Sequence, residues 1–108
     1  MGGTAQANVG TATDLWQQYG ATVRQAILDG FRYPTASRSM GETGRVKIAF
    51  AVLPDGSITE VRVKNPSAFE RLNDAAVSMV SRIARVAPLP LDGIPRWDTE
   101  IAIDFTLN

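Results

Sequence analysis

The stretch RVKIAFAVLPDGSITEVRVK, residues 45–64, decides the fold. Over 45–53 the chain alternates strictly. Val46, Ile48, Phe50 and Val52 fall on one side of an extended backbone, with Arg45, Lys47, Ala49 and Ala51 on the other, which predicts a half-buried strand. Pro54-Asp-Gly-Ser57 then reads as a tight turn: the proline fixes one dihedral, Gly56 supplies a positive one, and Asp55 is a turn residue. A second strand is predicted over 58–64, with Val61 and Val63 inward and Glu60, Arg62 and Lys64 outward. Ile58 falls on the wrong parity, which predicts a bulge beside the turn. Strands joined by so short a turn are antiparallel.

Upstream, Trp16, Tyr19, Val23, Ala26 and Ile27 recur at helical spacing between Asp14 and Asp29. Thr13 or Asp14 is the expected N-cap, Asp14-x-x-Gln17 has capping-box spacing, and Gly30 is expected to stop the helix in the left-handed region. Pro34 pushes Tyr33 into an extended conformation. Residues 35–43, polar and glycine-bearing, read as slack before the first strand. Downstream, Ser67-Ala-Phe-Glu70 has the form of a capping box, followed by an amphipathic helix over 68–85 with Phe69, Leu72, Ala76, Met79, Val80 and Ile83 inward. Pro88 is expected to end it, with Arg82 and Arg85 favourably placed against its C-terminal dipole. APLPLDGIP is a stiff connector, and WDTEIAIDFTLN (97–108) alternates again.

The element order is helix, strand, strand, helix, strand. A helical crossover from the second strand to the third favours a parallel relation with one strand skipped. That places the first strand in the middle. The expected fold is α+β, two helices on one face of a three-stranded antiparallel sheet of order 2-1-3. Arg45 and Lys47 would then lie beside Asp98, Glu100 or Asp104, and the third strand would be an exposed edge.

Composition narrows the chemistry. The 108 residues suit one domain, read as 14–108, with 1–13 (Met1 and a small, polar, aperiodic run) as a frayed linker at the start of a piece of something larger. Eleven basic residues balance eleven acidic ones, which gives no basic patch for nucleic acid. Without histidine or cysteine there is neither a His general base nor a thiolate nucleophile or ligand. The longest apolar run, IAFAVL, is far shorter than the ~18 residues of a spanning helix. Asp98, Glu100 and Asp104 on one strand face could hold a hard cation, but basic neighbours make a solvated sheet face the simpler reading. No catalytic residue, cofactor or metal is expected. What remains is a row of unpaired backbone groups on the last strand, able to capture an extended peptide unless its charges protect it.

Several pieces in order resemble the TonB C-terminal domain family: Tyr33-Pro34 with Ala36, Gly44-x-Val46-x-Ile48-x-Phe50-x-Val52, Asp55-Gly56, Val61-x-Val63, Leu72-x-x-Ala75-Ala76, Pro88-x-Pro90 and the closing IAIDFTL. The resemblance covers about 15–108. It implies a periplasmic energy transducer with an inner-membrane anchor, a proline-rich spacer and an ExbB/ExbD-type motor upstream. The partner it implies is the TonB box of an outer-membrane transporter, added as a strand to the last strand. Carried over by position, the partner-binding residues are Arg32, Tyr33 and Pro34 together with Ile101, Ala102, Ile103, Asp104, Phe105, Thr106 and Leu107. The role implied is nutrient or siderophore uptake, with room for a strand-swapped dimer. NPSAF (65–69) departs from the Ser-Ser-Gly that many relatives carry after the second strand. A TolA-like domain, binding other envelope partners, is the alternative.

Overall fold

The alternation over 44–52 becomes the central strand of the sheet. In the computed structural model, residues 11–107 are described, and they form α1 (Ala12–Leu28), α2 (Thr35–Ser39), β1 (Gly44–Val52), β2 (Ile58–Asn65), α3 (Glu70–Ser81) and β3 (Trp97–Phe105). The sheet order is β2-β1-β3, with β1 antiparallel to both neighbours. Val46, Ile48, Phe50 and Val52 are at most 2% exposed. They meet Tyr19, Val23 and Ile27 of α1, Leu72, Ala76, Met79 and Val80 of α3, and Ile101, Ile103 and Phe105 of β3 in one core.

The turn is tied down at three points. Leu53 N–H donates to Ser57 O (2.9 Å), Gly56 N–H to Leu53 O (2.8 Å), and Ser57 N–H to Asp55 Oδ1 (2.9 Å). The chain leaving α3 comes back over it: Val86 N–H donates to Gly56 O at 2.8 Å and Leu89 N–H to Pro54 O at 3.1 Å. This return explains why α3 stops at Ser81 rather than 85. The chain has left the helix by Ile83, and Arg85 forms an isolated antiparallel bridge to Ser57, so Pro88 is not the terminator. Arg85 pairs with Asp55 (3.3 Å) instead of the helix end.

The bulge expected beside the turn is present. Between the Ala49↔Arg62 and Ala51↔Thr59 pairs the register shifts by one residue, and Glu60 there takes φ 56°. The extra residue returns Ile58 to the apolar side, opposite Val52. A second shift lies opposite Lys47 and Ile48. Val63 keeps its inward parity, opposite Ile48, but on this outer strand it is only partly covered.

The helix ends differ from the sequence reading. Thr11 caps α1, its Oγ1 accepting from Asp14 N–H (3.1 Å), so neither Thr13 nor Asp14 is the cap; residues 1–10 of the expected linker lie outside the described residues. Gly30 does not adopt the left-handed conformation. Instead the last turn tightens, with Gly30 N–H donating to Ile27 O and Phe31 N–H to Leu28 O. Ala26 is exposed. At α3 the N-cap is Phe69, without a side-chain bond. Asn73 in place of Glu70 reaches back, its Oδ1 accepting from Ser67 N–H at 2.7 Å.

Gly56 combines φ +92° with a position where a Cβ would lie 2.0 Å from Val86 O. Gly56→Ala is expected to lower stability by at least ~2 kcal/mol, measured by urea unfolding. A fall below ~0.5 kcal/mol would mean that the Val86 return is not fixed.

Candidate functional site

β3 pairs with β1 through nine consecutive residues, Trp97↔Val52 to Phe105↔Gly44, with no shift. Among the described residues no strand lies on its other side. In an antiparallel ladder alternate residues point their N–H and C=O away from the partner, so roughly four residues of β3 present unpaired groups outward. β2 is the other edge, but its two register shifts and the left-handed Glu60 break up any regular row.

Each end of β3 carries aromatic packing. At the start, Trp16 and Tyr19 of α1 meet Trp97, with ring centroids 5.4 and 5.2 Å away. At the finish, Phe31 and Tyr33 meet Phe105 at 5.3 and 5.5 Å. Between these contacts α1 and β3 stand apart around an open groove of about 310 Å³. Tyr19 O–H donates to Ala87 O (2.6 Å), and burial pushes its pKa up.

The structure brings Tyr33 to the end of β3 through Phe105, with Pro34 next to it as the N-cap of α2 and Arg32 exposed. Of the strand residues, Ile101, Ile103 and Phe105 point into the core, Ala102 is half-buried and Asp104 is exposed. Thr106 and Leu107 lie beyond the strand, which ends at Phe105.

The slack expected over 35–43 is instead ordered. Pro34 O accepts from Arg38 N–H (3.0 Å) to open α2, and the Arg38 guanidinium sits 5.5 Å from the Tyr33 ring centroid. Ser37 is fully buried and donates to Glu42 Oε1 at 2.7 Å. Arg71 of α3 reaches the same carboxylate at 3.3 Å, and Tyr33 O–H donates to the Glu42 carbonyl. The hydrogen bond from Ser37, then Arg71, hold the Glu42 carboxyl below its ordinary pKa. The local sequence carries no sign of this, because Arg71 is 29 residues away and an acid beside a glycine reads as solvated.

On the face away from the helices, each of the three aligned carboxylates has a basic partner. Asp104 pairs with Arg45 (2.6 Å), Glu100 with Lys47 (3.4 Å) and Lys64, and Asp98 with Arg96 (2.7 Å), which also reaches Glu60 (2.7 Å). Arg45 lowers the Asp104 pKa, and Lys64, then Lys47, lower that of Glu100. The predicted charge neighbours are therefore in place. The bridges cross β1 where Ala49 and Ala51 lie buried, 6% and 0% exposed.

The model of a family described as Gram-negative bacterial TonB protein C-terminal matches residues 29–107. Protein TonB of Haemophilus influenzae is 33% identical over 102 residues, which is 94% of this chain and 37% of that protein. Protein TonB of Pasteurella multocida is 31% identical over 99 residues, 92% and 38% respectively. The chain thus spans under two-fifths of either relative. The solution structure of the Helicobacter pylori TonB C-terminal domain superposes with a TM-score of 0.74 at 27% identity, covering 96% of this chain and 92% of that one. The corresponding Pseudomonas aeruginosa domain gives 0.54 at 27% identity, over 70% and 77%.

A lowered carboxylate pKa stabilises the fold above the ordinary pKa of the group, and that contribution is lost as pH falls through the folded value. Glu42→Gln is therefore expected to melt below the parent at pH 7, the gap narrowing as pH drops past ~4. A gap independent of pH in thermal melts would show that the charge of Glu42 is not what ties α2 to α3.

Proposed function

The chain belongs to the Gram-negative bacterial TonB C-terminal family, and on that premise we propose that it captures the TonB box of an outer-membrane transporter as an added strand on β3. The observation that carries this reading is the regular, unpaired outer row of β3 beside a second edge interrupted by bulges. The guest would lie along 101–105 and continue past Thr106 and Leu107. Arg32, Tyr33 and Pro34 would form the wall at the Phe105 end, held rigid by α2 and Glu42. The whole protein would be periplasmic, anchored in the inner membrane and coupled to an ExbB/ExbD-type motor, with nutrient or siderophore uptake as the result. Among the described residues no helix is long and apolar enough to cross a membrane.

The energetics suit an intermittent grip. Four or five backbone hydrogen bonds at ~1 kcal/mol net each give at most about 5 kcal/mol, and the cost of association reduces that further, so the backbone alone holds the guest with a dissociation constant of roughly 0.2 mM or weaker. A pull along the strands loads those bonds together. Weak affinity and resistance to shear are thereby compatible.

Titration with a transporter N-terminal peptide is expected to move the amide resonances of 99–107 and of the Tyr33 region. Peptides N-methylated one residue at a time are expected to lose about tenfold in affinity at alternate positions and little between them, because only every second N–H faces β3. A flat N-methyl series, or no shift along β3, would overturn strand addition.

A further inference from the structure

The family match begins at residue 29, so α1 lies outside the matched region. It runs in the same direction as β3, since Trp16 meets Trp97 and Phe31, just past its end, meets Phe105. The groove between them is lined by Gly20, Val23, Arg24 and Ile27 on the helix and by Thr99 and Ile101 on the strand. About 310 Å³ lies at the lower end of ligand pockets, ~300 Å³, and suits one or two side chains. The groove adjoins the unpaired row of β3. Every second side chain of a strand added there must turn toward it.

Gly20 sets its shape. This glycine has no positive φ, and a Cβ on it would make ordinary contact, 3.8 Å, with Trp97. Neither backbone nor packing requires glycine, which weakens a helix interior relative to alanine. Its effect is to leave a notch in the helix wall. Arg24, one turn further on, also lines the groove and enters no ion pair among the described residues, whereas the neighbouring acids Glu100 and Asp104 already have partners. Gly20 and Arg24 stand ~6 Å apart along the helix. Same-face residues of an extended guest are ~6.7 Å apart.

We infer that the α1–β3 groove is a side-chain pocket that selects, within a strand-added guest, a large apolar residue at Gly20 and a carboxylate two residues away at Arg24. The inference rests on strand addition to β3. It adds a sequence preference to a contact that backbone bonding alone leaves almost indifferent to sequence.

The probes are designed decapeptides of alternating threonine with one Leu and one Glu two residues apart, against versions with Leu→Ala or Glu→Gln, titrated into the full chain while β3 amides are followed. Leu→Ala is expected to weaken binding about tenfold and Glu→Gln about threefold at low salt. Gly20→Leu fills the notch and should abolish the leucine preference. Gly20→Ala should keep it, and Arg24→Glu should reverse the preference for glutamate over glutamine. If Gly20→Leu fails to fold, the parent chain and Arg24→Glu, altered at an exposed position, decide the matter. Shifts along β3 with no preference for Leu or Glu would overturn the pocket and leave strand addition standing. No shift along β3 with any peptide would overturn both.

Discussion

The structure depends on β1 being paired along both edges. From Lys47 to Val52 its backbone is paired to β2 on one side and β3 on the other, and from Ile48 to Val52 its side chains are buried on both faces: apolar residues under α1 and α3, alanines under a lattice of ion pairs. A strand so enclosed can neither slide nor turn over, because a slip of one residue would drive Arg45 and Lys47 into the core. Everything peripheral takes its position from that strand. The outer row of β3 is the regular edge left over once β1 has both partners.

Two long-range ties convert this sheet into a rigid mount. The return of residues 84–89 over the hairpin turn, through Val86 and Leu89, fixes where the connector begins and so where Trp97 enters β3. The Ser37–Glu42–Arg71 cluster fixes the other end, holding the Tyr33 corner against α3 while Tyr33 packs on Phe105. The strand is thus braced at both extremities by contacts that leave its outer side untouched. Such bracing keeps the strand straight without covering it.

The elements visible in the sequence were those whose cause is local. Strict alternation marks β1 and β3, Pro-Asp-Gly-Ser marks the turn, and the wrong parity of Ile58 marks the bulge that Glu60 makes. The helical crossover between β2 and β3 then leaves one strand order. What escaped the sequence has causes far along the chain. α3 ends early because Gly56 O attracts Val86, and 35–43 is ordered because Arg71 completes the environment of Glu42. The capping residues Thr11 and Asn73 were missed for a smaller reason, since several side chains nearby could form the same bond. Of the candidate site, the edge strand was legible in its alternation, whereas the Tyr33 corner came only from the family resemblance and the groove from neither, because a mid-helix glycine has no signature until its neighbour across the gap is known.

The bulges of β2 also bear on self-association. A second copy that docked β3 against β3 would exhaust the regular edge of both molecules, leaving only kinked margins outside. Growth into longer stacks would require β2 to template another ribbon, and its two register shifts and the left-handed Glu60 work against that. Oligomerisation by this route therefore terminates at two, which protects a chain with an open strand from fibril formation.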